Sequence, residues 1–160
     1  MSEFRIRRYD AGDAGRVWRV HEAAFEAAPI EFVENPACTE NLRDVPGTYL
    51  DGSGEFLVGE TGTIVAIGGF SRADGTTVEI NRMRVHPQYQ RRGYGRALLG
   101  ELEDRARSRG FEIAVLGTHV DLDAARQFYE VNGYHETHRD PHPIAGDTFV
   151  YYRKNLRSPR

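Results

Sequence analysis

The chain contains very little cysteine and lysine. Cys38 is the single cysteine and Lys154 the single lysine among 160 residues. A single cysteine cannot form an intramolecular disulfide and cannot supply a cysteine-rich zinc site. Because nearly all the positive charge is carried by arginine, we interpret the shortage of lysine first as coding bias and only second as a functional feature.

Long apolar runs are absent as well. No stretch reaches the roughly 18 residues that a membrane-spanning helix requires, and the N-terminal segment Met1–Ile6 lacks the apolar stretch of a signal peptide. We therefore expect a cytoplasmic protein without a membrane partner. A length of 160 residues predicts a single domain spanning 1–160.

An excess of positive charge is also missing. The net charge is −3 and the isoelectric point is near 6.1, whereas a dedicated nucleic-acid-binding protein depends on a basic face that neutralises phosphates. We expect no nucleic-acid partner. Against this acidic background, arginines cluster near the middle of the chain: Arg82, Arg84, Arg91, Arg92 and Arg96. Solvated surface charge and binding of a polyphosphate ligand both explain such a cluster.

What the chain does contain is a glycine-rich turn at Gln90–Gly95, with the sequence Gln-Arg-Arg-Gly-Tyr-Gly. A strand-like run, 78–85, precedes it and a helix-like run, 96–107, follows it. Backbone N–H groups at the start of a helix are unpaired and lie at the positive end of the helix dipole, so such a turn binds phosphate. Ordinary helix capping is the alternative explanation.

The residue types of this turn favour a phosphate ligand but exclude two common phosphate-binding motifs. Gly93 and Gly95 carry no Cβ and let the main chain approach an anion, while Arg91 and Arg92 add charge and forked hydrogen bonds. A P-loop requires Lys and then Ser or Thr after its last glycine, whereas Arg96 follows here. A dinucleotide-binding fingerprint requires three glycines and an acidic residue about 20 positions later. The turn satisfies neither requirement.

Two motifs resemble those of the GNAT superfamily of acetyl-CoA-dependent N-acetyltransferases. The turn Gln90–Gly95 is similar to the family signature Gln/Arg-x-x-Gly-x-Gly/Ala, and the preceding strand 79–87 is similar to the family's fourth strand. The segment 125–134, Ala-Arg-Gln-Phe-Tyr-Glu-Val-Asn-Gly-Tyr, resembles the second hallmark, a helix that ends in Ala-x-x-(aromatic or Leu)-Tyr-Glu-x-x-Gly-(Phe/Tyr). The motifs have the family's order and separation. The resemblance covers residues 3–156, the core of a single N-acetyltransferase domain.

The pattern of apolar residues and turns predicts a mixed α/β sheet. We expect strands at 4–9, 55–60, 64–72, 77–85, 112–118, 134–138 and 148–154, and helices at 10–28, 39–44, 96–107 and 121–133. Asp121 or Asp123 is expected to cap the last helix. The resemblance implies the GNAT acyl-CoA N-acyltransferase fold, in which a mixed, mostly antiparallel sheet of about six or seven strands is flanked by about four helices.

The resemblance implies transfer of an acetyl group from acetyl-CoA to a primary amine of a small-molecule or peptide acceptor. Neither motif contains a cysteine that could form an acyl-enzyme, so we expect direct attack by the amine in a ternary complex. This attack requires a base for the ammonium proton, a polarised thioester carbonyl and a proton for the departing thiolate. A catalytically silent acyl-CoA-binding sensor module and a protein N-acetyltransferase are the alternatives.

Glu79 is the candidate base. It precedes Gly93 by 14 positions, and the resemblance places a base glutamate at this point of the strand in many family members. The neighbouring Val78 and Ile80 are expected to give its carboxyl group an apolar environment. A salt bridge to Arg82 is the structural alternative.

Tyr129 is the candidate acid. It resembles the family's tyrosine that faces the CoA sulfur and protonates the thiolate. A phenol suits this role because it holds its proton at neutral pH and hydrogen-bonds a developing anion. A core tyrosine packed beside Phe128 is the alternative interpretation.

The resemblance also assigns residues to acetyl-CoA binding. Backbone groups of Met83 and Val85 are expected to pair with the pantetheine arm as with an added strand, and the Met83 N–H to polarise the thioester carbonyl. The other expected contacts are Arg84, Gln90, Arg91, Arg92, Gly93, Tyr94, Gly95, Arg96, Asp123 and Phe128. The family often has Asn where this chain has Leu122, so either Asp121 or Asp123 substitutes for it or the contact is missing.

Metal binding and acceptor identity are less constrained by the sequence. Three histidines within 135–142 straddle a strand and a loop without a cysteine or carboxylate that completes a ligand set, so we expect no metal. The segments 26–46 and 136–147 are expected to flank the acceptor groove. Acidic residues of the first segment would suit a cationic amine, whereas Arg139 and the histidines of the second would suit an acidic acceptor. Homodimerisation is also open, because no leftover apolar stripe identifies an interface.

Overall fold

The computed structural model describes residues 3–28, 42–50, 52–143 and 146–157. Cys38 and most of the predicted acceptor segment 26–46 therefore lie outside the described residues, as does the first half of the predicted helix 39–44.

Seven strands form one sheet. They are β1 (Arg5–Arg8), β2 (Glu55–Glu60), β3 (Ile64–Arg72), β4 (Thr77–Val85), β5 (Ile113–His119), β6 (His135–Pro141) and β7 (Thr148–Asn155). Their order across the sheet is β1-β2-β3-β4-β5-β7-β6, and every neighbouring pair is antiparallel except β4 and β5. The predicted mixed and mostly antiparallel α/β sheet is confirmed.

The helical elements in the described residues are three α-helices and shorter turns. The α-helices are α1 (Ala14–Glu26), α2 (Tyr94–Ser108) and α3 (Asp123–Val131), with a π-helical turn at Pro46–Leu50 and 3₁₀ turns at Ala11–Asp13 and Pro87–Tyr89. Among the described residues, no helix combines the length and apolarity needed to cross a membrane.

The N-termini of α1 and α3 are capped in different ways. Asp10 and Asp13 form a capping box before α1, since the Asp10 amide donates to Asp13 Oδ2 at 2.7 Å. For α3 the prediction is wrong, because its N-cap is Leu122 and no side chain caps the helix. Asp123 is instead the first helical residue, where its charge still lies at the positive end of the helix dipole.

Two apolar cores cover the two faces of the sheet. On one face, α1 and the π-helical turn bury Val17, Val20, Val45 and Tyr49 against strand residues such as Phe56. The opposite core is larger and includes Leu98, Leu99, Leu102 and Ala106 of α2, Tyr129 of α3, and Val78, Ile80 and Leu116 of the central strands. The sheet is therefore a middle layer, and residues that alternate along β4 face different cores.

Candidate active site

The centre of the sheet opens between β4 and β5. Both strands are described over their whole length, and they pair only from Thr77 with Ile113 to Glu79 with Val115. Beyond this point β4 continues to Val85 beside β3, while β5 continues beside β7. We call the resulting opening the fork. It exposes strand edges that no other strand of the sheet covers, and an extended ligand can pair with such edges.

A β-bulge lies in β4 on one side of the fork. Asn81 pairs with Gly69 and Arg84 pairs with Ile67, so Arg82 and Met83 together stand opposite the single residue between them on β3. Arg82 has a φ of 59°, which is rare for a residue with a side chain. Bulges leave one backbone position out of the ladder and redirect neighbouring groups. The bulge thus falls at Met83, the residue whose N–H is expected from the family resemblance to polarise the thioester carbonyl.

The glycine-rich turn has the conformation that an anion site requires. Gly93 is the N-cap of α2 with a φ of 83°, and Arg91 also has a left-handed φ of 64°. No side chain caps α2, and its first turn contains no acidic residue. In the described part of the chain, Arg91, Arg92 and Arg96 are exposed and form no salt bridge. Backbone amides and uncompensated cations are therefore concentrated at one helix N-terminus.

Side chains around the turn hold it against the body of the protein. Tyr94 stacks on Phe4 with ring centroids 4.0 Å apart, and Gln90 Nε2 donates to the Val85 carbonyl at 3.1 Å. A Cβ built on Gly95 would lie 3.4 Å from Val85 Cγ2 and 3.6 Å from the Phe128 ring. The structure thus brings the predicted residues Val85, Gly95 and Phe128 together.

Glu79 lies at the vertex of the fork, on the α1 face of the sheet. It is exposed, whereas Val78 and Ile80 are buried in the opposite core, so the expected apolar environment of its carboxyl group is wrong. The reason is the alternation of side chains along a strand. The carboxylate accepts a hydrogen bond from Asn81 Nδ2 at 3.4 Å, and no salt bridge joins it to Arg82 in the described residues.

Tyr129 is buried in the core on the α2 face of the sheet, with 9 % of its surface exposed. It belongs to the same core as Ile80 of β4 and Leu116 of β5, the first core residues beyond the paired segment. Burial raises the pKa of Tyr129 to about 12, and Arg84 opposes this shift. Its hydroxyl makes no hydrogen bond within the described residues. The phenol therefore holds its proton at neutral pH and has a donor available.

Arg84 is a partly buried cation on the bulged strand. Its Nη1 donates to the Met83 carbonyl at 2.9 Å, and it forms no salt bridge in the described part of the chain. Burial lowers the pKa of Arg84, as does Arg82, whereas Tyr129 and Tyr49 act in the opposite direction. The guanidinium is therefore within electrostatic reach of a tyrosine from each core.

Three residues near this site were not singled out from the sequence. The Tyr49 hydroxyl donates to Asn81 Oδ1, which links the π-helical turn to β4. Burial raises the pKa of Tyr49.

His21 of α1 is 2 % exposed, and its ring centroid lies 5.3 Å from that of Trp18. Its Nδ1 has no hydrogen-bond partner among the described residues. Burial, then Arg84 and Arg82, lower the pKa of His21 to about 4, so its imidazole is neutral. Only its helical spacing with core residues was visible in the sequence.

The basic residues predicted on the other side of the groove are engaged by neighbours. Arg139 Nη2 pairs with Glu136 Oε1 at 3.0 Å, and His138 stacks on Tyr151 with ring centroids 4.7 Å apart. Among the described residues, no group of three or more His, Cys, Asp or Glu side chains could hold a metal ion.

Comparison with known proteins gives a match to one protein family. The family model described as the acetyltransferase (GNAT) family matches residues 17–134. Among curated proteins, no sequence matches the chain significantly.

Solved structures share the fold at low sequence identity. A GNAT-family acetyltransferase from Staphylococcus aureus Mu50 superposes with a TM-score of 0.85 at 20 % identity, covering 97 % of this chain and 100 % of that chain. The Salmonella typhimurium protein yncA, solved with its cofactor acetyl-CoA, gives a TM-score of 0.78 at 22 % identity over 98 % of this chain and 95 % of that one. The ribosomal-protein-S18-alanine N-acetyltransferase from Escherichia coli gives 0.75 at 18 % identity over 99 % and 97 %.

Proposed function

The chain belongs to the GNAT family of acetyltransferases, and on this premise we propose that it transfers an acetyl group from acetyl-CoA to a primary amine. The observation that carries the proposal is the fork, which opens beyond the carboxylate of Glu79 and lies above the buried phenol of Tyr129. A base and an acid thus stand on opposite faces of one gap in the sheet.

The residues around the fork suit acetyl-CoA. The left-handed Gly93, the start of α2 and the exposed arginines of the turn form a site for its diphosphate. The open edge of β4 at Met83 and Val85 offers backbone groups to the amide-containing pantetheine arm. When bound, acetyl-CoA supplies the acetyl group and leaves as the free thiol.

The chemistry assigned to this chain uses three groups. Glu79 takes a proton from the acceptor ammonium, directly or through water, so that the nitrogen lone pair can form the new C–N bond. The Met83 N–H stabilises the negative charge that develops on the thioester oxygen. As the C–S bond breaks, Tyr129 gives its proton to the sulfur, and a phenol with a raised pKa keeps that proton available at neutral pH.

Release of free thiol tests this function. Protein and acetyl-CoA are mixed with a panel of amino acids, polyamines, aminoglycosides and peptide N-termini, and thiol formation is followed together with acetyl-CoA binding by calorimetry. We expect amine-dependent thiol release. Tyr129→Phe should slow it by about 10- to 100-fold with little change in acetyl-CoA affinity, because only the departing thiolate loses its proton donor.

The outcomes separate the alternatives. Acetyl-CoA binding without thiol release for any acceptor would favour a silent acyl-CoA sensor module. Release with peptides alone would favour a protein N-acetyltransferase. Full activity of Tyr129→Phe would show that water protonates the thiolate.

A further inference from the structure

Among the described residues, Arg84 differs in its ion pairing from the partly buried arginines that lie outside β4. Those are Arg7, Arg105, Arg107 and Arg126, and each forms a salt bridge with a carboxylate of this chain. Arg84 donates only to the backbone carbonyl of Met83 among the described residues. A partly buried cation with no anionic partner is costly, and the cost is relieved when a ligand supplies the anion.

Among the described residues, the groups that act electrostatically on Arg84 include no carboxylate. Arg82 lies on the same bulge and acts on Arg84 as a like charge. His21 lies on α1, which packs against this strand, and is neutral because of burial and both arginines; its Nδ1 has no hydrogen-bond partner in the described part of the chain. A buried and unsatisfied ring nitrogen beside two guanidinium groups is a second and independent sign that a polar ligand group belongs here.

The position of Arg84, Arg82 and His21 favours the acceptor over the diphosphate of acetyl-CoA as their ligand. The uncapped start of α2 already provides a diphosphate site. His21 and Tyr49 belong to elements of the α1 face, which is also the face of Glu79. An acceptor that delivers its amine to Glu79 at the vertex would therefore bring its other polar groups toward Arg84.

We propose that the acceptor carries a carboxylate as well as its amine, as an amino acid does, and that Arg84 binds this carboxylate with His21 and Arg82 beside it. The planar guanidinium offers two parallel N–H donors that match the two carboxylate oxygens. Arg84 becomes a specificity residue of the acceptor site rather than a contact of acetyl-CoA. This inference rests on the proposed acetyl transfer, and it deepens that function by naming the acceptor class.

Matched acceptors test the proposal. Thiol release is measured with L-alanine, L-phenylalanine and L-leucine, and with the carboxamide and the decarboxylated amine of each. We expect kcat/KM to be about 10- to 100-fold higher for the carboxylates, as charge-assisted hydrogen bonds imply. Equal rates for acids and amides, or a preference for uncharged or cationic amines, would overturn the proposal while leaving acetyl transfer established.

The variant Arg84→Met, which keeps an unbranched apolar stem but removes the charged guanidinium, sharpens the test. It should raise KM for the carboxylate acceptors about 10- to 100-fold, leave the amides unchanged, and preserve acetyl-CoA affinity. Arg157→Met removes the same charge from an exposed arginine that Glu112 already pairs, outside the residues assigned to either substrate, and it should leave all rates unchanged. A loss of acetyl-CoA affinity in Arg84→Met, with equal effects on all acceptors, would assign Arg84 to the cofactor and sink the proposal.

A direct binding measurement keeps the proposal testable if no acceptor releases thiol. N-acetyl-L-glutamate and its diamide are then titrated into the protein in the presence of CoA. Binding of the acid that disappears in Arg84→Met would support the carboxylate site although the proposed transfer had failed. Equal or absent binding of acid and diamide would overturn it.

Discussion

Two clusters of charged residues on the same sheet differ in how their charges are balanced. At Glu55 the carboxylate is fully buried, and Arg8 Nε, Arg105 Nη1 and Arg109 Nη2 bind it at 2.9, 3.1 and 2.6 Å. On β4 the guanidinium of Arg84 has no carboxylate within salt-bridge distance among the described residues. The charges around Glu55 balance one another within the chain, so this cluster stabilises the fold. The charge of Arg84 is balanced by no carboxylate of the described residues, so a ligand has to supply the anion. This difference separates a binding site from a structural ion cluster.

The carboxylates of Glu55 and Glu79 also differ in how far their charge is neutralised by arginines. Glu55 has three arginine partners, whereas Glu79 is exposed and, among the described residues, accepts a hydrogen bond from one amide donor, Asn81, at 3.4 Å. A carboxylate that is not neutralised by fixed cations remains able to accept a proton from a substrate. Replacing Glu79 by Gln should therefore impair catalysis, whereas replacing Glu55 by Gln should impair stability.

Glu79→Gln should give the largest effect. We expect kcat to fall by about 10²- to 10⁴-fold, because the ammonium loses its base. The rate should recover in part at alkaline pH, where more of the amine is already neutral. Thermal stability should remain at the wild-type level. A pH–rate profile of unchanged shape would remove Glu79 from the mechanism.

Glu55→Gln should show the opposite behaviour. Removing the buried anion leaves Arg8, Arg105 and Arg109 without the carboxylate they share, which should lower the free energy of unfolding by on the order of 3 kcal/mol. Urea unfolding measures this loss. The folded fraction should keep the wild-type kcat and acetyl-CoA affinity, since Glu55 lies away from the fork. A stable but inactive variant would contradict the structural role.

The sequence predicted the elements of the fold better than the contacts between them. The bounds of β2, β3 and β4 agree with those expected, because alternation and turn residues are local signals. Helix α2 begins at Tyr94, two residues earlier than expected, since Gly93 in a left-handed conformation acts as its N-cap. These features depend on neighbours along the chain.

The groove contacts depend on packing and could not be predicted. Tyr49 reaches Asn81 only because the π-helical turn packs on the sheet, and His21 comes within electrostatic range of Arg84 only because α1 packs against β4. No spacing in the sequence encodes either approach. The exposure of Glu79 was also missed, although alternation along β4 predicts that it faces away from Val78 and Ile80.

His21 provides a smaller test of the groove. Its pKa is about 4 in the folded chain and about 6.5 when unfolded. Between these values the unfolded chain holds a proton that the folded chain lacks, so stability rises with pH by up to about 1.4 kcal/mol per pH unit. The contribution is present above pH 6.5 and lost as the pH falls toward 4.

Urea unfolding at pH 5 and pH 7 measures this dependence. The difference in the free energy of unfolding between the two pH values should shrink by about 1–2 kcal/mol in His21→Leu. In Arg84→Met it should shrink by less, because only one of the causes that lower the pKa of His21 is removed. An equal dependence in His21→Leu and wild type would show that His21 titrates normally.

The smallest expected effects concern Gly93, the N-cap of α2, and Gly100 in the interior of that helix. They test whether the conformation of the glycine-rich turn serves a ligand rather than stability. Gly93→Ala would place a side chain at a φ of 83° and should cost about 1 kcal/mol, although its Cβ meets no atom within 4 Å. Gly100→Ala lies in the helix interior, also without a close neighbour, and should gain up to about 1 kcal/mol. Opposite shifts of the melting temperature would show that Gly93 is required by backbone conformation and Gly100 is not. Equal shifts would mean that the left-handed turn is not maintained in solution, and the diphosphate site proposed at the start of α2 would lose its structural basis.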